Sequence, residues 1–334
     1  MIYWRPLVQS GAARPKGAVP LAGGGLWFAQ VERLERARRS EVVPAAEAGA
    51  ALEPLSAPRA DFAGLPMATP RIMGILNVTP DSFSDGGRFL AAGAAVEQAR
   101  AMAEAADILD IGGESTRPGA AQVEADEEIA RTAPVIAALR AGGVPVPISI
   151  DTRKAAVAEA ALGAGAQIVN DVAALTYDAG LGPLVAAKGA PVILMHHQGT
   201  PEVMQADPRY DDVLLDVYDW LADRLAAALA MGIPRDRIAL DPGIGFGKTV
   251  EHNLALLRGL SLFQGLGQPV LLGASRKRFI GSIGGAAEAQ GRMPGSVAVA
   301  LAGVAQGVQM IRVHDVAETR QALRLWQAVN GEQG

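Results

Sequence analysis

The chain has 334 residues and a mass of 34.5 kDa; half of its residues are hydrophobic and 19% are charged. That balance excludes a disordered chain. Lys and Arg number 30 against 35 Asp and Glu, and there is no cysteine. Non-specific nucleic-acid binding is therefore not expected, a local basic pocket stays open, and disulfides, thiolate catalysis and cysteine-based zinc sites are removed. No run of about 18 uninterrupted apolar residues reads as a membrane span. Met1 to Pro6 show no basic leader before an apolar stretch, so a cytoplasmic protein is the expectation. Only five of the cations are lysines, which makes a lysine inside a motif a stronger signal than an arginine.

Residues 1–70 differ from the rest and read as an N-terminal extension. Leu21–Ala29 is glycine-rich, Gln30–Glu41 is charged and admits a helix, and Val42–Ala60 is Ala/Pro-rich and reads as irregular. No chemistry is evident there, and an accessory segment packing on the main domain is expected. From Arg71 to the end, short β-branched runs alternate with Ala/Leu-rich helical stretches. The strand candidates are Ile72–Leu76, Ile108–Ile111, Val146–Ile150, Gln167–Val169, Val192–Met195, Ile238–Leu240, Val270–Leu272 and Met310–Val313. The helix candidates between them are Ala94–Ala106, Glu124–Ala141, Lys154–Ala164, Leu181–Lys188, Val213–Met231, Val250–Leu260, Gly295–Gln306 and Val316–Val329. Repeated strand–helix units of roughly 30 residues predict an α/β chain, a (β/α)8 TIM barrel spanning 71–334. A doubly wound open sheet is the rival. Its dinucleotide-binding form needs G-x-G-x-x-G after a strand, and the run Gly243-Ile-Gly-Phe-Gly247 does not have that spacing.

A barrel carries its chemistry at the C-terminal ends of its strands, where caps and turns also favour polar residues. Only unusual residues there count. The first strand leads into Asn77-Val-Thr-Pro-Asp-Ser-Phe-Ser-Asp-Gly-Gly87, which is either a capped connection or a mobile lid hinged at Gly86-Gly87. The second leads into Gly112-Gly-Glu-Ser-Thr-Arg-Pro-Gly119, where Arg117 and Thr116 can meet an anion. The third, fourth and sixth end in Asp151, Asn170 and Asp241, acceptors suited to the N–H groups of a heterocycle. Asp151 could equally cap a helix. The fifth ends in His196-His197; neighbours on a strand point oppositely, so a zinc site is not expected.

The sixth strand's tail, Gly243-Ile-Gly-Phe-Gly-Lys-Thr249, lacks the spacing of a P-loop. The seventh strand is followed by Ser275-Arg-Lys-Arg278, and the eighth holds Arg312 and His314 on one face. Loops after strands seven and eight are where barrels bind phosphate. Arg312, His314, Lys277 and Arg117 therefore read as a polyanion pocket, and Asp151, Asn170 and Asp241 as a wall for a nitrogen-rich ring.

These strings together resemble the dihydropteroate synthase family. They are Met73-Gly-Ile-Leu-Asn-Val-Thr-Pro-Asp-Ser-Phe-Ser-Asp-Gly-Gly87, Asp110-Ile-Gly-Gly-Glu-Ser-Thr-Arg-Pro-Gly119, Asp151-Thr152, Asn170-Asp171, Leu240-Asp-Pro-Gly-Ile-Gly-Phe-Gly-Lys248, Ser275-Arg-Lys277 and Arg312-Val-His-Asp315. They fall in the family's order between about Arg71 and Asn330; residues 1–70 lie outside the resemblance. The resemblance implies that a dihydropterin-6-ylmethyl diphosphate condenses with p-aminobenzoate to give dihydropteroate and diphosphate. It implies that Asp151, Asn170, Met195, Asp241, Lys277 and Arg312 hold the pterin. It implies that Asn77, Thr116, Arg117, Arg312 and His314 serve the diphosphate, Asn77 through Mg²⁺, and that Thr116, Arg117, Pro118, Phe246 and Lys277 shape the p-aminobenzoate site. Asp151, Asp241, Lys277, Arg312 and His314 are the implied catalytic set.

A homodimer and sulfonamide sensitivity are implied as well. Two departures from the family stand out: His197 where methionine is common, and Arg278 where many members carry a serine near the aminobenzoate carboxylate. That carboxylate would then be held by backbone N–H groups or by Arg278 itself. Two rivals share the ring-recognition wall, a pterin-binding methyltransferase barrel and a non-catalytic pterin-binding homologue. Neither needs Lys277, Arg312 and His314 together.

Overall fold

The computed structural model describes residues 1–78, 88–115, 122–199, 204 and 207–331. The N-terminal extension contributes strands β1 (Ile2–Pro6), β2 (Val19–Pro20), β3 (Trp27–Phe28), β4 (Gln30–Glu35) and β5 (Glu41–Pro44) and the short helix α1 (Leu52–Ser56). Strand β4 pairs antiparallel with β1 on one side and β5 on the other. Two expectations are thus corrected. Gln30–Glu35 is extended rather than helical, and Val42–Ala60 holds strand β5, a 3₁₀ segment at Ala45–Ala51 and α1. The cause is tertiary: Val31 and Val43 bury with Phe28 and Leu55 in a small core of their own, and packing overrides the helix preference of the flanking charges.

The extension leans on the main domain, as expected. Tyr3 packs with Leu215 and Leu262, and its hydroxyl donates to Asp219 Oδ2 at 2.8 Å. Arg36 reaches Asp216 and Asp219 at 2.6 and 2.7 Å, and the Ser261 hydroxyl donates to the Pro6 carbonyl.

Among the described residues, eight strands form one parallel sheet: β6 (Arg71–Asn77), β7 (Ile108–Gly112), β8 (Ile148–Asp151), β9 (Ile168–Asp171), β10 (Val192–Met195), β11 (Ile238–Asp241), β12 (Leu271–Leu272) and β13 (Met310–Val313). Their order is β11-β10-β9-β8-β7-β6-β13-β12, and a parallel bridge between Leu240 and Val270 closes the ring. The barrel expected from the repeated strand–helix units is the one observed. Helices α2 (Arg88–Ala103), α3 (Ala125–Ala141), α4 (Ala155–Gly163), α5 (Leu181–Lys188), α6 (Val213–Ala230), α7 (Val250–Arg258), α8 (Arg278–Gly284), α9 (Met293–Val304) and α10 (Val316–Val329) surround it. Local chemistry sets their ends. The Asp212 side chain accepts from Leu214 and Leu215 N–H to start α6, Thr249 and His252 form a capping box at α7, and Gly189 in a left-handed conformation stops α5.

Strands in a barrel are buried on both faces. Outward residues such as Ile72, Ile111, Ile150, Val169, Leu194 and Leu240 pack under the helices. Inward residues divide into two layers. Met73, Ile108, Ile168, Ile193, Ala239, Leu271 and Met310 form an apolar layer at the strands' N-terminal ends, and Phe62 and Met67 from the extension's last stretch cover it. Two residues further along each strand, alternation brings a second inward set to the C-terminal end. That set is polar.

Candidate functional site

The polar layer is built from Asp110 on β7, Asp151 on β8, Asn170 on β9, Met195 on β10, Asp241 on β11 and Arg312 on β13. All except Arg312 are buried. Arg312 ties the layer together. Its Nε donates to Asp110 Oδ2 at 2.5 Å and its Nη2 to Asp151 Oδ2 at 2.6 Å. Asn170 Nδ2 donates to the same Asp110 oxygen at 3.1 Å.

Asp241 faces this cluster. A Cβ built on Gly273 would lie 3.4 Å from Asp241 Oδ2 and 4.0 Å from Arg312 Cβ, so glycine leaves the space between them open. Met195 sits beside Asp241 in the register. Asn77 ends β6 on the same rim; a Cβ on Gly112 would meet Asp151 Cβ at 3.5 Å and Asn77 Oδ1 at 3.8 Å.

The loop after β11 closes one side. Gly243 N–H donates to Asp241 Oδ1 at 2.7 Å. Lys277 donates to the Ile244 carbonyl, and its ammonium lies 3.9 Å over the Phe246 ring centroid, a cation–π arrangement. Lys277 and Phe246 are therefore adjacent. Across the rim, His314 Nδ1 lies 3.0 Å from Ser275 Oγ, which also accepts from His314 N–H.

The three consecutive cations do not act as a set: Lys277 alone turns to the rim. Arg276, at a φ of 57°, pairs with Asp315, its Nε 3.0 Å from Oδ2, and Arg278 is exposed at the start of α8. Thr116, Arg117, Pro118 and the lid candidate from Thr79 to Gly87 lie outside the described residues.

The pterin-binding enzyme family model matches residues 73–314. A dihydropteroate synthase of Neisseria meningitidis serogroup B is 49% identical over 266 residues, covering 78% of this chain and 93% of the relative. The chain belongs to the dihydropteroate synthase family. Two solved structures of the Xanthomonas albilineans dihydropteroate synthase agree. The one with 4-aminobenzoic acid superposes with a TM-score of 0.76 at 48% identity, covering 81% of this chain and 98% of the other. The one with 7,8-dihydropteroate gives 0.74 at 45%, again covering 81% and 98%.

The electrostatics of the rim follow from burying opposite charges together. Burial pushes the Asp151 carboxyl up to about 7; Arg312 pulls it down, and Asp110 and Glu128 push it up. Burial also raises Asp241, against the Gly243 N–H and Lys277. Burial lowers Lys277 to about 7, opposed by Asp241 and assisted by Arg312. Arg312 loses hydration too, but Asp110 and Asp151 more than offset it and hold its pKa above the ordinary arginine value.

Two features escaped the sequence reading as site elements. Asp110 opens the string Asp110-Ile-Gly-Gly-Glu-Ser-Thr-Arg-Pro-Gly119 but receives no role from the sequence; strand alternation places it on the inward face with Ile108, which is the signal available. Behind the glycine loop, Lys248 Nζ lies 2.8 Å from His196 Nδ1 and 3.0 Å from the Phe246 carbonyl. Burial, then Lys248, lowers His196 to about 2, so the imidazole beside that amine is neutral. Among the described residues no group of three or more His, Asp or Glu is placed to hold a metal ion.

Proposed function

We propose that the rim condenses 6-hydroxymethyl-7,8-dihydropterin diphosphate with p-aminobenzoate through a dissociative, cation-like transition state. The observation that carries this reading is Arg312, a flat cation held between Asp110 and Asp151 with Asp241 across the gap. Buried carboxylates accept several N–H bonds from one ring edge, the contact a pterin offers. Asp151, Asn170 and Asp241 bind that edge, Met195 lines the pocket, and Lys277 and Arg312 contact the ring. As the C–O bond to diphosphate lengthens, positive charge grows on the methylene beside the acidic wall. Negative charge grows on the leaving group, beside Arg312 and His314. Stabilising charge where it develops is the largest catalytic term available here, and no nucleophilic side chain is required. The arylamine nitrogen then attacks the methylene, with Phe246 and Lys277, and Thr116, Arg117 and Pro118 from the following loop, orienting the aminobenzoate.

The residues fit Mg²⁺ carried by the substrate rather than by a protein cage. Asn77 offers one hard amide oxygen at the rim, and Mg²⁺ commonly takes one or two protein oxygens plus substrate phosphates and water. Bound there, the ion would neutralise diphosphate charge. No helix of the described residues is long and apolar enough to cross a membrane. A cytoplasmic location and a homodimer belong to the same proposal; Leu325 and Val329, exposed on α10, support a helix-mediated contact.

The test is an assay for dihydropteroate and for diphosphate, with and without p-aminobenzoate and with and without Mg²⁺. Coupled formation of both products that needs Mg²⁺ is expected. Methyl transfer to or from a pterin substrate, or pterin binding without turnover, would replace this reading with one of its two rivals. Isotopic substitution at the reacting methylene reports the transition state: a normal secondary effect is expected, and its absence would exclude the cation-like route.

A further inference from the structure

Asp110 lies at the centre of the site, and the reading above gives it only the holding of Arg312. It is fully buried, and among the described residues one of its oxygens does all of its hydrogen bonding. Oδ2 accepts from Arg312 Nε at 2.5 Å and from Asn170 Nδ2 at 3.1 Å, while Oδ1 is buried without a partner among the described residues. A buried carboxylate oxygen left without a donor is costly, so the arrangement on Oδ2 must be specific enough to hold.

We propose that Asp110 is a positioning residue that sets the hydrogen-bonding polarity of the pterin wall, by turning the Asn170 amide nitrogen inward and its carbonyl oxygen toward the substrate. The inference rests on the pterin reading and deepens it. The argument is one of donors and acceptors. An ionised carboxylate only accepts, so the half of the Asn170 amide that meets Asp110 is the nitrogen. The other half, Oδ1, carries no donor among the described residues. Asn170 then joins Asp151 and Asp241 as a third acceptor, and the wall selects a ring edge made of N–H donors. Loss of the acceptor at 110 would free the amide to rotate, and half of its orientations would present a donor to a donor. The same oxygen fixes the guanidinium of Arg312, because a fork held at Nε by Asp110 and at Nη2 by Asp151 has its plane determined.

The test combines a ligand-free signal with a binding cycle. In the free enzyme, the side-chain amide protons of Asn170 are assigned by nuclear magnetic resonance from their loss in Asn170→Ala. One of them should exchange slowly in wild type and in Asp110→Asn, which keeps an acceptor at that position, and rapidly in Asp110→Ala. Binding of 6-hydroxymethyl-7,8-dihydropterin should weaken by about tenfold in Asp110→Ala and by about threefold or less in Asp110→Asn. The KM for p-aminobenzoate should stay within about twofold in both. The Asp110→Ala/Asn170→Ala double variant should bind no more weakly than the weaker single variant, because Asn170 contributes only when it is held. A freely exchanging Asn170 amide in wild type overturns the proposal, and so do losses that multiply in the double variant. The amide signal needs neither ligand nor turnover. It therefore decides the role of Asp110 even where Asp110→Ala fails to fold, and separately from any failure of the pterin reading, which the product assay of the wild type decides.

Discussion

Arg312 and Asp151 stand three strands apart around the barrel, yet their side chains meet at 2.6 Å inside it. The pair joins the anion-binding side of the rim to the ring-binding side. Without a ligand, the guanidinium satisfies the carboxylate that a pterin edge would otherwise reach. Replacing Arg312 therefore does two things: it removes a cation from the leaving group, and it leaves two buried carboxylates facing each other. One electrostatic contact to a developing charge is worth about 3 kcal/mol, or roughly 10²–10³ in rate. Arg312→Ala should lose at least that much in kcat. Near-normal turnover in steady-state assays would remove Arg312 from the leaving-group role.

Asp151 links the same pair to pH. Its carboxyl is pushed up to about 7, chiefly by burial. A carboxyl raised above its unfolded value favours the folded state at low pH, and that contribution is lost as pH rises through about 7. Between pH 5 and 8, wild type should lose about 2 kcal/mol of stability relative to Asp151→Asn, read from urea unfolding at each pH. Ligand binding should run the other way. Accepting two ring N–H bonds requires the ionised carboxylate, so affinity for the pterin alcohol should rise through pH 7 in wild type and stay flat in Asp151→Asn. Parallel binding profiles in the two proteins would assign the titration to another group.

Lys277 gives the opposite limb. Burial lowers its amine to about 7, so the ammonium over Phe246 is lost as the solution turns alkaline. If that charge meets the p-aminobenzoate, affinity should fall between about pH 7 and 9 by close to tenfold per pH unit. Lys277→Arg keeps its charge throughout that range, and its profile should be flat even though the guanidinium fits the space less well. Titration calorimetry at several pH values checks this, with pyrophosphate and pterin present.

Much of this arrangement is legible in the sequence because a barrel enforces a simple grammar. Each strand is a short apolar run, buried on both faces, and the first polar residue past it stands at the rim. Asp151, Asn170 and Asp241 are found by that rule, Arg312 by its charge and its shared face with His314, Lys277 by the loop after the seventh strand, and Phe246 through the family resemblance alone. Asp110 is not, because it sits inside an apolar strand, and only closure of the ring brings β13 close enough for Arg312 to reach it. Arg276 and Arg278 mislead for a related reason. Three adjacent cations look like one feature, but the backbone turn at Arg276 sends them three ways. In the extension, Gln30–Glu35 has a helix-like density of charge, and the partner that makes it a strand, Ile2–Pro6, lies far away in sequence.

Gly243 tests how firmly the acidic wall is backed. It adopts a φ of 68°, and a Cβ there would lie 1.8 Å from the His196 carbonyl oxygen. Alanine in this left-handed conformation costs roughly 1 kcal/mol, and a backbone clash adds to that. Gly243→Ala should lose about 3 kcal/mol or more of stability. Its activity should also fall, because the Gly243 N–H that holds Asp241 Oδ1 must shift. A variant with wild-type urea midpoint and turnover would show that the loop relaxes without cost.

Outside the rim, Lys154 makes the strongest stability prediction. Its ammonium is buried and lies 2.6 Å from Glu128 Oε2, 3.2 Å from Glu114 Oε2 and 2.6 Å from the Val123 carbonyl. Glu114 also accepts from Val123 N–H and pairs with Arg153. Burial works against its charge, but these donors more than offset it and hold its pKa below the usual carboxylate value. Among the described residues Glu128 has no second cation, and its other oxygen is already without a partner. Lys154→Met leaves that acid buried and uncompensated, which should cost about 3–5 kcal/mol in chemical denaturation. Lys154→Met/Glu128→Leu removes both charges and should recover a large part of the loss, because an apolar pair of similar volume avoids the desolvation penalty. Glu114 and Val123 flank the segment that carries Thr116, Arg117 and Pro118. The single variant should therefore raise the KM for p-aminobenzoate more than the KM for the pterin diphosphate, and equal rises would detach this ion network from the aminobenzoate side of the site.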